Sequence, residues 1–451
     1  MKKNILLIFL ATIISFSSTC TLWAETATSI EQNTETDLEL SSDAAILMDA
    51  TTGEILYEKN SNKKEYPASI TKIMTALLAF ESGKMDETIT FSHDAIFGIE
   101  PGSSHIALQE EEQITMEQAM YALLLRSANE AALGIAEQVD GSVEKFATHM
   151  TERAKELGCK NTNFVNPNGL HSENHYTTAY DMALIAKEAL KFEDFKNIIQ
   201  TTYYEIPPTN KQEETRYLYG QHQMIKPPSI YVYEGCEGGK TGFTDEAQNT
   251  LVTYAKRNDT ELIAVVFQCK GAQHYEDTIK LFDYGFSQFK TVKLSSASEV
   301  SQTFSVVNEK KEEIDSVFAK AKEDVYQTVP IDFEMDKVTK KENAPETLSA
   351  PISLNDAVAS VTFYYEEKPI ATAELFADHA VTLEESEENV VTASMQNDKK
   401  IDSNFHSFPT ILSILIFAVI CSIISFFVAL IICRFISWRK RKRRRFARRR
   451  K

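Results

Sequence analysis

Two hydrophobic periods alternate along the chain. Ala44 to Met48 and Glu54 to Tyr57 are strand-like runs, and Thr51-Thr52-Gly53 between them reads as a hairpin turn. Beyond Pro67 the period lengthens. Ile70, Ile73, Met74, Leu77 and Leu78 fall on one side of a helix that Gly83 ends. Helical patterns follow over residues 115–139, 143–157 and 178–190. Leu251 to Lys256 and Leu262 to Cys269 read as strands linked by Arg257-Asn258-Asp259-Thr260, and residues 272–289 are again helical. Hairpins at both ends with helices between them predict an antiparallel sheet covered by helices, an α+β domain over residues 39–290.

The pattern then changes. Short alternating segments, such as Ala359 to Tyr365 and Ile370 to Phe376, predict a small all-β domain over residues 291–385. Residues 386–408 are polar and acidic, a spacer, and residues 25–38 lack apolar periodicity and read as a linker. Residues 1–24 have the form of a signal peptide: Lys2 and Lys3, an apolar run from Ile5 to Ile14, and a cleavage site near Ala24. Cys20 lacks a good lipobox. From Ile411 to Cys433 no charge interrupts 23 residues, enough to span a bilayer within a segment over 409–435. Trp438 and the basic tail (436–451) follow at once, so the positive-inside rule puts that tail in the cytoplasm and the rest outside. A buried core helix is the competing reading of the apolar run, and its abrupt basic flank argues against it.

Charge sharpens this division. The formal charge is −18, but twelve Lys or Arg and no acid lie between Arg434 and Lys451. The other 433 residues therefore carry about −30. An acidic body argues against nucleic acid as a partner, and the tail suits anionic lipid. Three cysteines fall in the expected ectodomain: Cys159, Cys236 and Cys269. An odd count is no disulfide framework, and Cys236 with Cys269 is a candidate pair without support from spacing. No Cys/His spacing suggests zinc, and no metal or cofactor is implied.

The chemistry begins at Ser69-Ile70-Thr71-Lys72. Residues three apart at a helix start share a face. A serine hydroxyl needs a base, and a lysine amine serves if burial and nearby positive charge lower its pKa. Spacing alone is weak evidence, because Ser61/Lys64, Ser287/Lys290 and Ser437/Lys440 share it. Only Ser69 follows a Pro and opens an amphipathic helix. Ser127-Ala128-Asn129 comes after the apolar stretch Ala122 to Leu125, where polar groups are costly unless paired. Ser127 is a candidate proton relay and Asn129 a candidate substrate ligand, against a plain capping or turn role. Ser172/Asn174 and Ser353/Asn355 have the same spacing. Lys240-Thr241-Gly242 occurs once, before a strand-like segment, and suits a substrate carboxylate; the bland alternative is a basic hairpin turn.

Three cheap motifs in the order SxxK, SxN, KTG are far more specific than any one of them. The chain resembles the D-alanyl-D-alanine carboxypeptidases, low-molecular-mass penicillin-binding proteins of the S11 serine peptidase type. The resemblance covers about residues 40–290. It extends through Pro67 to Thr75, Asn163 to Leu170, His175 to Met182 and Gly238 to Ala247. Residues 291–385 match the family's β-rich second domain in pattern only. The resemblance implies a penicillin-binding-protein/β-lactamase-like fold and a peptidoglycan stem peptide ending in D-Ala-D-Ala as substrate. It implies Ser69 as nucleophile, Lys72 as base and Ser127 as proton relay. Asn129 would orient the acyl side, and Lys240 and Thr241 would hold the terminal carboxylate. Gly242 would admit the substrate, and the N–H groups of Ser69 and Phe243 would form the oxyanion hole. β-Lactam antibiotics would acylate Ser69 and leave slowly.

The family often carries a C-terminal amphipathic helix where this chain has a spanning segment. Tyr219 to Tyr233 matches no family segment and is expected to alter the mouth of the cleft. A DD-endopeptidase, a β-lactamase and a catalytically silent penicillin-binding scaffold are the alternatives. Residues 163–170 lack the glutamate that class A β-lactamases use for deacylation. The intact motifs weigh against a silent scaffold.

Overall fold

The structure is a computed structural model that describes residues 38–354 and 356–383. The expected signal peptide, nearly all of the linker, the acidic spacer, the spanning segment and the basic tail lie outside those residues. Among the described residues no helix is long and apolar enough to cross a membrane.

The catalytic region is built on strands β1 (Ala44–Asp49), β2 (Ile55–Lys59), β3 (Thr88–Thr90), β4 (Gln113–Thr115), β5 (Tyr203–Ile206), β6 (Arg216–Tyr219), β7 (Cys236–Thr244), β8 (Gln248–Arg257) and β9 (Thr260–Cys269). Five of them form one antiparallel sheet in the order β2-β1-β9-β8-β7, while β3/β4 and β5/β6 are separate two-stranded ribbons. The two chain ends of the domain thus meet at β1 and β9, with Ala44 opposite Phe267. Both faces of the sheet are buried. Ile263, Val265 and Phe267 join the core under the long helical insertion, whereas Leu262, Ala264 and Val266 pack with Leu281 and Phe282 of helix Gln273–Gln288. This period-2 division accounts for the near-continuous apolar run of β9.

Helix Lys72–Glu81 runs through the middle of the insertion, and every residue from Lys72 to Phe80 is buried. A helix that is apolar all round belongs in a core. The helical pattern over 115–139 proves to be two helices, Met116–Leu125 and Asn129–Asp140. Ser127 breaks them with φ 59, a left-handed conformation that no continuing helix contains. The N–H groups of Arg126 and Ala128 both return to the Ala122 carbonyl, and Asn129 N–H donates to Ser104 O at 2.8 Å. The apolar periodicity is continuous across this break because both helices face the same core.

From Phe289 onward the described chain is strands with short turns. A six-stranded sheet runs Val338–Asn343, Ala357–Tyr365, Lys368–Ala377, Glu313–Lys320, Ser301–Val307, Thr347–Ser349, beside a ribbon of Phe289–Ser295 with Val325–Pro330. The expected hairpin of 359–365 with 370–376 is present, with Val361 opposite Ala373. The first strand of this region is tied to the catalytic sheet: Thr291 N–H donates to Thr260 Oγ1 at 2.9 Å and its hydroxyl donates to the Asp49 carboxylate.

The candidate disulfide does not form. Cys159, Cys236 and Cys269 are free thiols. Cys236 opposes Ala255 at one end of β8 and Cys269 opposes Asn249 at the other, so they are two strands and most of a strand length apart. A disulfide requires Cα atoms within about 7 Å.

Candidate active site

Pro67 leads into a 3-10 turn, Ala68–Thr71, which presents Ser69 half-buried before the α-helix starts at Lys72. Ala68 has φ 49, so the nucleophile turn is sharply bent. Gly169 is what fits against it. A Cβ there would meet the Ala68 carbonyl oxygen at 1.9 Å, and its φ of 83 is itself left-handed. Asn166 Oδ1 accepts from the Gly169 N–H at 2.8 Å and holds this loop in place.

Lys72 is fully buried, and its Nζ lies 3.1 Å from Ser69 Oγ. It also donates to Asn129 Oδ1 at 2.7 Å and to the Asn168 carbonyl at 2.6 Å. Burial holds the amine well below its ordinary pKa; the Lys240 charge lowers it further and Glu130 opposes this. A neutral amine facing a serine hydroxyl is a general base. Both partners besides Ser69 are oxygens, so they orient the amine without competing for its lone pair.

Ser127 is placed by the same helix break. It is 3% exposed, and its Oγ is buried without a hydrogen-bond partner. An orphaned buried hydroxyl at a left-handed residue is costly on both counts, which marks a site where a ligand completes the bonding. Asn129 sits at the first position of the next helix, its backbone fixed to Ser104 and its side chain to Lys72.

The third motif lies on β7, the edge strand of the sheet. Gly242 comes against the nucleophile turn, where a Cβ would stand 2.9 Å from Ser69 N and 2.4 Å from Thr250 Oγ1. Thr250 in turn donates to the Pro67 carbonyl at 2.9 Å and clamps the turn to the sheet. The edge strand therefore brings the Gly242–Phe243 peptide beside the Ser69 N–H. Phe243 projects its ring to solvent. Lys240, expected to help hold a substrate carboxylate, lies deep in the strand. It is 2% exposed, and its Nζ donates to the Thr241 carbonyl at 2.7 Å. Burial pushes its amine down to about 7. Thr241, half-buried, stands nearer the surface.

The other two described Ser–Lys spacings do not bring their side chains together. Ser61 donates to Glu58, while Lys64 stacks its ammonium 4.1 Å from the Tyr176 ring centroid. Ser287 donates to Tyr284 O and Lys290 to Phe333 O. Ser437 and Lys440 lie outside the described residues, as does Asn355. Ser172 caps its own turn by accepting from Asn174 N–H at 3.3 Å.

Three participants escaped the motif reading. Glu130 is 1% exposed; it accepts from the Ile106 N–H at 2.7 Å, its other oxygen has no partner, and burial raises its pKa. A charged residue at the head of the Ala131-Ala132-Leu133 run was the available signal. Asn168 acts through its backbone, which no side-chain motif reveals. His175 accepts from Val165 N–H at Nδ1, so its Nε2 carries the proton towards Thr71 Oγ1 at 2.8 Å. Burial lowers its pKa to about 3 and keeps it neutral.

Residues 30–271 match the family described as D-alanyl-D-alanine carboxypeptidase, and residues 289–383 match the C-terminal domain of penicillin-binding protein 5. The D-alanyl-D-alanine carboxypeptidase DacF of Bacillus subtilis is 34% identical over 343 residues, spanning 73% of this chain and 85% of the relative. DacA of Escherichia coli strain K12 is 29% identical over 366 residues, spanning 78% and 87%. Penicillin-binding protein 5 from Haemophilus influenzae superposes with a TM-score of 0.64 at 26% identity, covering 76% of this chain and 98% of that one. With the nucleophile turn, the helix break and the edge strand converging on one cleft, this chain belongs to the D-alanyl-D-alanine carboxypeptidase family of S11 serine peptidases.

Proposed function

We propose that the cleft removes the terminal D-alanine from peptidoglycan stem pentapeptides by way of an acyl-enzyme on Ser69. The observation that carries this is the fully buried Lys72 amine, held between Ser69 Oγ, Asn129 Oδ1 and the Asn168 carbonyl, with its pKa lowered by burial.

Lys72 Nζ takes the Ser69 proton as Oγ attacks the carbonyl between the two D-alanines. The resulting oxyanion lies between the N–H groups of Ser69 and Phe243, consistent with the close approach of Gly242 to Ser69 N. The C–N bond then breaks. Its nitrogen receives the proton from Lys72 through Ser127 Oγ, whose hydrogen-bonding capacity is otherwise unspent. Thr241 binds the departing carboxylate, with the Lys240 ammonium supplying positive potential from below. Asn129 orients the acyl side through its amide. Water hydrolyses the ester and restores Ser69. A β-lactam acylates the same oxygen. The loop over 163–170 meets Lys72 with a backbone carbonyl rather than a carboxylate base, which favours slow release of the penicilloyl group.

The membrane topology belongs to the same proposal. The charge-free run from Ile411 to Cys433 and the basic residues after it support a single span, with the catalytic domain outside the cell and the tail in the cytoplasm. The leader over 1–24 supports export.

The deciding experiment incubates the full-length detergent-solubilised protein with a peptide ending in D-Ala-D-Ala and measures free D-alanine, with Ser69→Ala as control. Release that depends on Ser69 is expected. Labelling by a fluorescent penicillin without any D-alanine release would overturn the activity. Labelling that survives Ser69→Ala would overturn the nucleophile.

A further inference from the structure

The ribbon β5/β6 carries a surface that the reaction above leaves unused. Its residues alternate strictly. Ile206 and Leu218 are buried, while Tyr203, Glu205, Tyr217 and Tyr219 all point to the opposite, exposed face. Register makes them a single patch, because Tyr203 pairs with Tyr219 and Glu205 with Tyr217. The rings of Tyr203 and Tyr217 are nearly parallel at 11°, with centroids 6.3 Å apart, and Tyr219 lies 5.1 Å from Tyr203. Solvent-facing tyrosines are 41%, 56% and 52% exposed, an arrangement that costs free energy unless something covers it.

This patch is held rigidly and close to the cleft. On its inner side Tyr204 stacks on Tyr121 at 3.7 Å. Arg216 forms a buried ion pair with Glu112 at 2.6 Å and also donates to the Ile106 and Ala107 carbonyls. Arg126, the residue before Ser127, reaches the Tyr219 carbonyl at 3.4 Å. At the ribbon's foot, Thr202 and Gly220 line the same cavity as Gly239 and Thr241 of β7. The foot of the ribbon, next in sequence to Tyr203 and Tyr219, therefore shares a cavity with Thr241 of the third motif.

We propose that Tyr203, Tyr217 and Tyr219 form a stacking platform for the pyranose rings of the polysaccharide to which the stem peptide is attached. The proposal rests on the peptidoglycan reading of the site. The chemistry fits that occupant. Flat phenol rings cover the apolar C–H face of a sugar, and the Glu205 carboxylate, already bonded by the Tyr203 hydroxyl, accepts from sugar hydroxyl or amide N–H groups. Neither strand contributes a cation to this face, and the nearby Arg126 and Lys226 are engaged with the Tyr219 and Gly220 carbonyls. A substrate tethered to its polymer gains affinity from a second contact that a free peptide cannot make.

The test compares three readouts on the full-length protein and on Tyr217→Ala/Tyr219→Ala. Binding of peptide-free glycan strands should weaken about tenfold in the double variant, as expected for two lost ring contacts. KM for a glycan-linked pentapeptide should rise by a similar factor with kcat unchanged. D-Alanine release from a short free peptide should stay within about twofold, and Tyr217→Phe/Tyr219→Phe should keep wild-type glycan binding. Unchanged glycan binding in the alanine variant would overturn the platform. So would an equal loss on the free peptide, which would make the ribbon a support for Arg126 and Ser127, or a loss of self-association in place of glycan binding. If the wild type binds glycan through these tyrosines yet frees no D-alanine from either substrate, the platform stands and the carboxypeptidase reading falls.

Discussion

Ser69/Lys72 and Ser287/Lys290 have the same spacing and opposite fates. In the first pair the lysine is fully buried with Nζ 3.1 Å from the serine oxygen. In the second, each side chain bonds a separate backbone carbonyl, Ser287 to Tyr284 and Lys290 to Phe333. The difference lies in what surrounds the lysine. Lys72 begins a helix that is buried from Lys72 to Phe80, and burial lowers the pKa of its amine. Lys290 is the second residue of the strand Phe289–Ser295, and its amine bonds a backbone carbonyl across the junction to the β-rich region. Spacing brings two groups within reach; desolvation turns one of them into a base.

The largest break in this comparison is Lys72→Ala. Loss of the base should reduce the rate of penicillin acylation by about 10³-fold, the middle of the range for general acid–base catalysis. Stopped-flow acylation with a fluorescent penicillin measures it. A loss below tenfold would assign the base elsewhere. Ser127→Ala comes next, with an expected drop of about 10²-fold in D-alanine release. Its signature is a separation of activity from stability. The hydroxyl has no partner in the folded protein, so its removal should leave Tm unchanged or slightly raised. A parallel fall in Tm and activity would make Ser127 structural.

Lys240→Gln sharpens the comparison through pH. Lys72 works as a neutral base, so acylation rises as pH passes upward through its folded pKa. The Lys240 charge helps to hold that pKa down. Removing it should raise the Lys72 pKa and move the acid limb of the acylation profile to higher pH. Rates measured across the acid limb test this, and an unmoved or acid-shifted limb would show that Lys240 does not tune Lys72. Lys240 itself, with its amine at about 7, should lose its positive charge near neutrality in the wild type, and the alkaline limb should report that loss.

Much of the fold was legible because burial is periodic. The β1/β2 and β8/β9 hairpins and helix Gln273–Gln288 follow from alternation and from apolar spacing. The break at Ser127 was not legible, because Leu125 and Ala131 face the same core from two different helices and preserve one pattern. Among site residues, Ser69 and Asn129 meet at the Lys72 amine, while the Ser127 hydroxyl is buried without a partner. Lys240 is 2% exposed on the edge strand, a depth that a strand pattern does not encode. Asn168 and Gly169 contribute a carbonyl and an absent Cβ, neither of which has a side-chain signature. Glu130 was hidden by ordinary helix chemistry, since an acidic residue near a helix start is common for reasons of the dipole alone.

The smallest effect is expected from the decoy. Lys290 Nζ donates to Phe333 O at 2.9 Å, joining the first strand of the β-rich region to the turn after Val325–Pro330. Lys290→Ala removes one partly buried hydrogen bond and should cost about 1 kcal/mol of stability, measured by denaturant unfolding. Penicillin acylation and D-alanine release should both stay at the wild-type rate, because no group of the cleft touches Lys290. If acylation fell with stability intact, the β-rich region would be coupled to the cleft through Thr291 and Asp49, which already bond across the same junction. That outcome would erase the distinction between the two lysines, since a residue with no amine–hydroxyl contact would then govern the nucleophile from a distance.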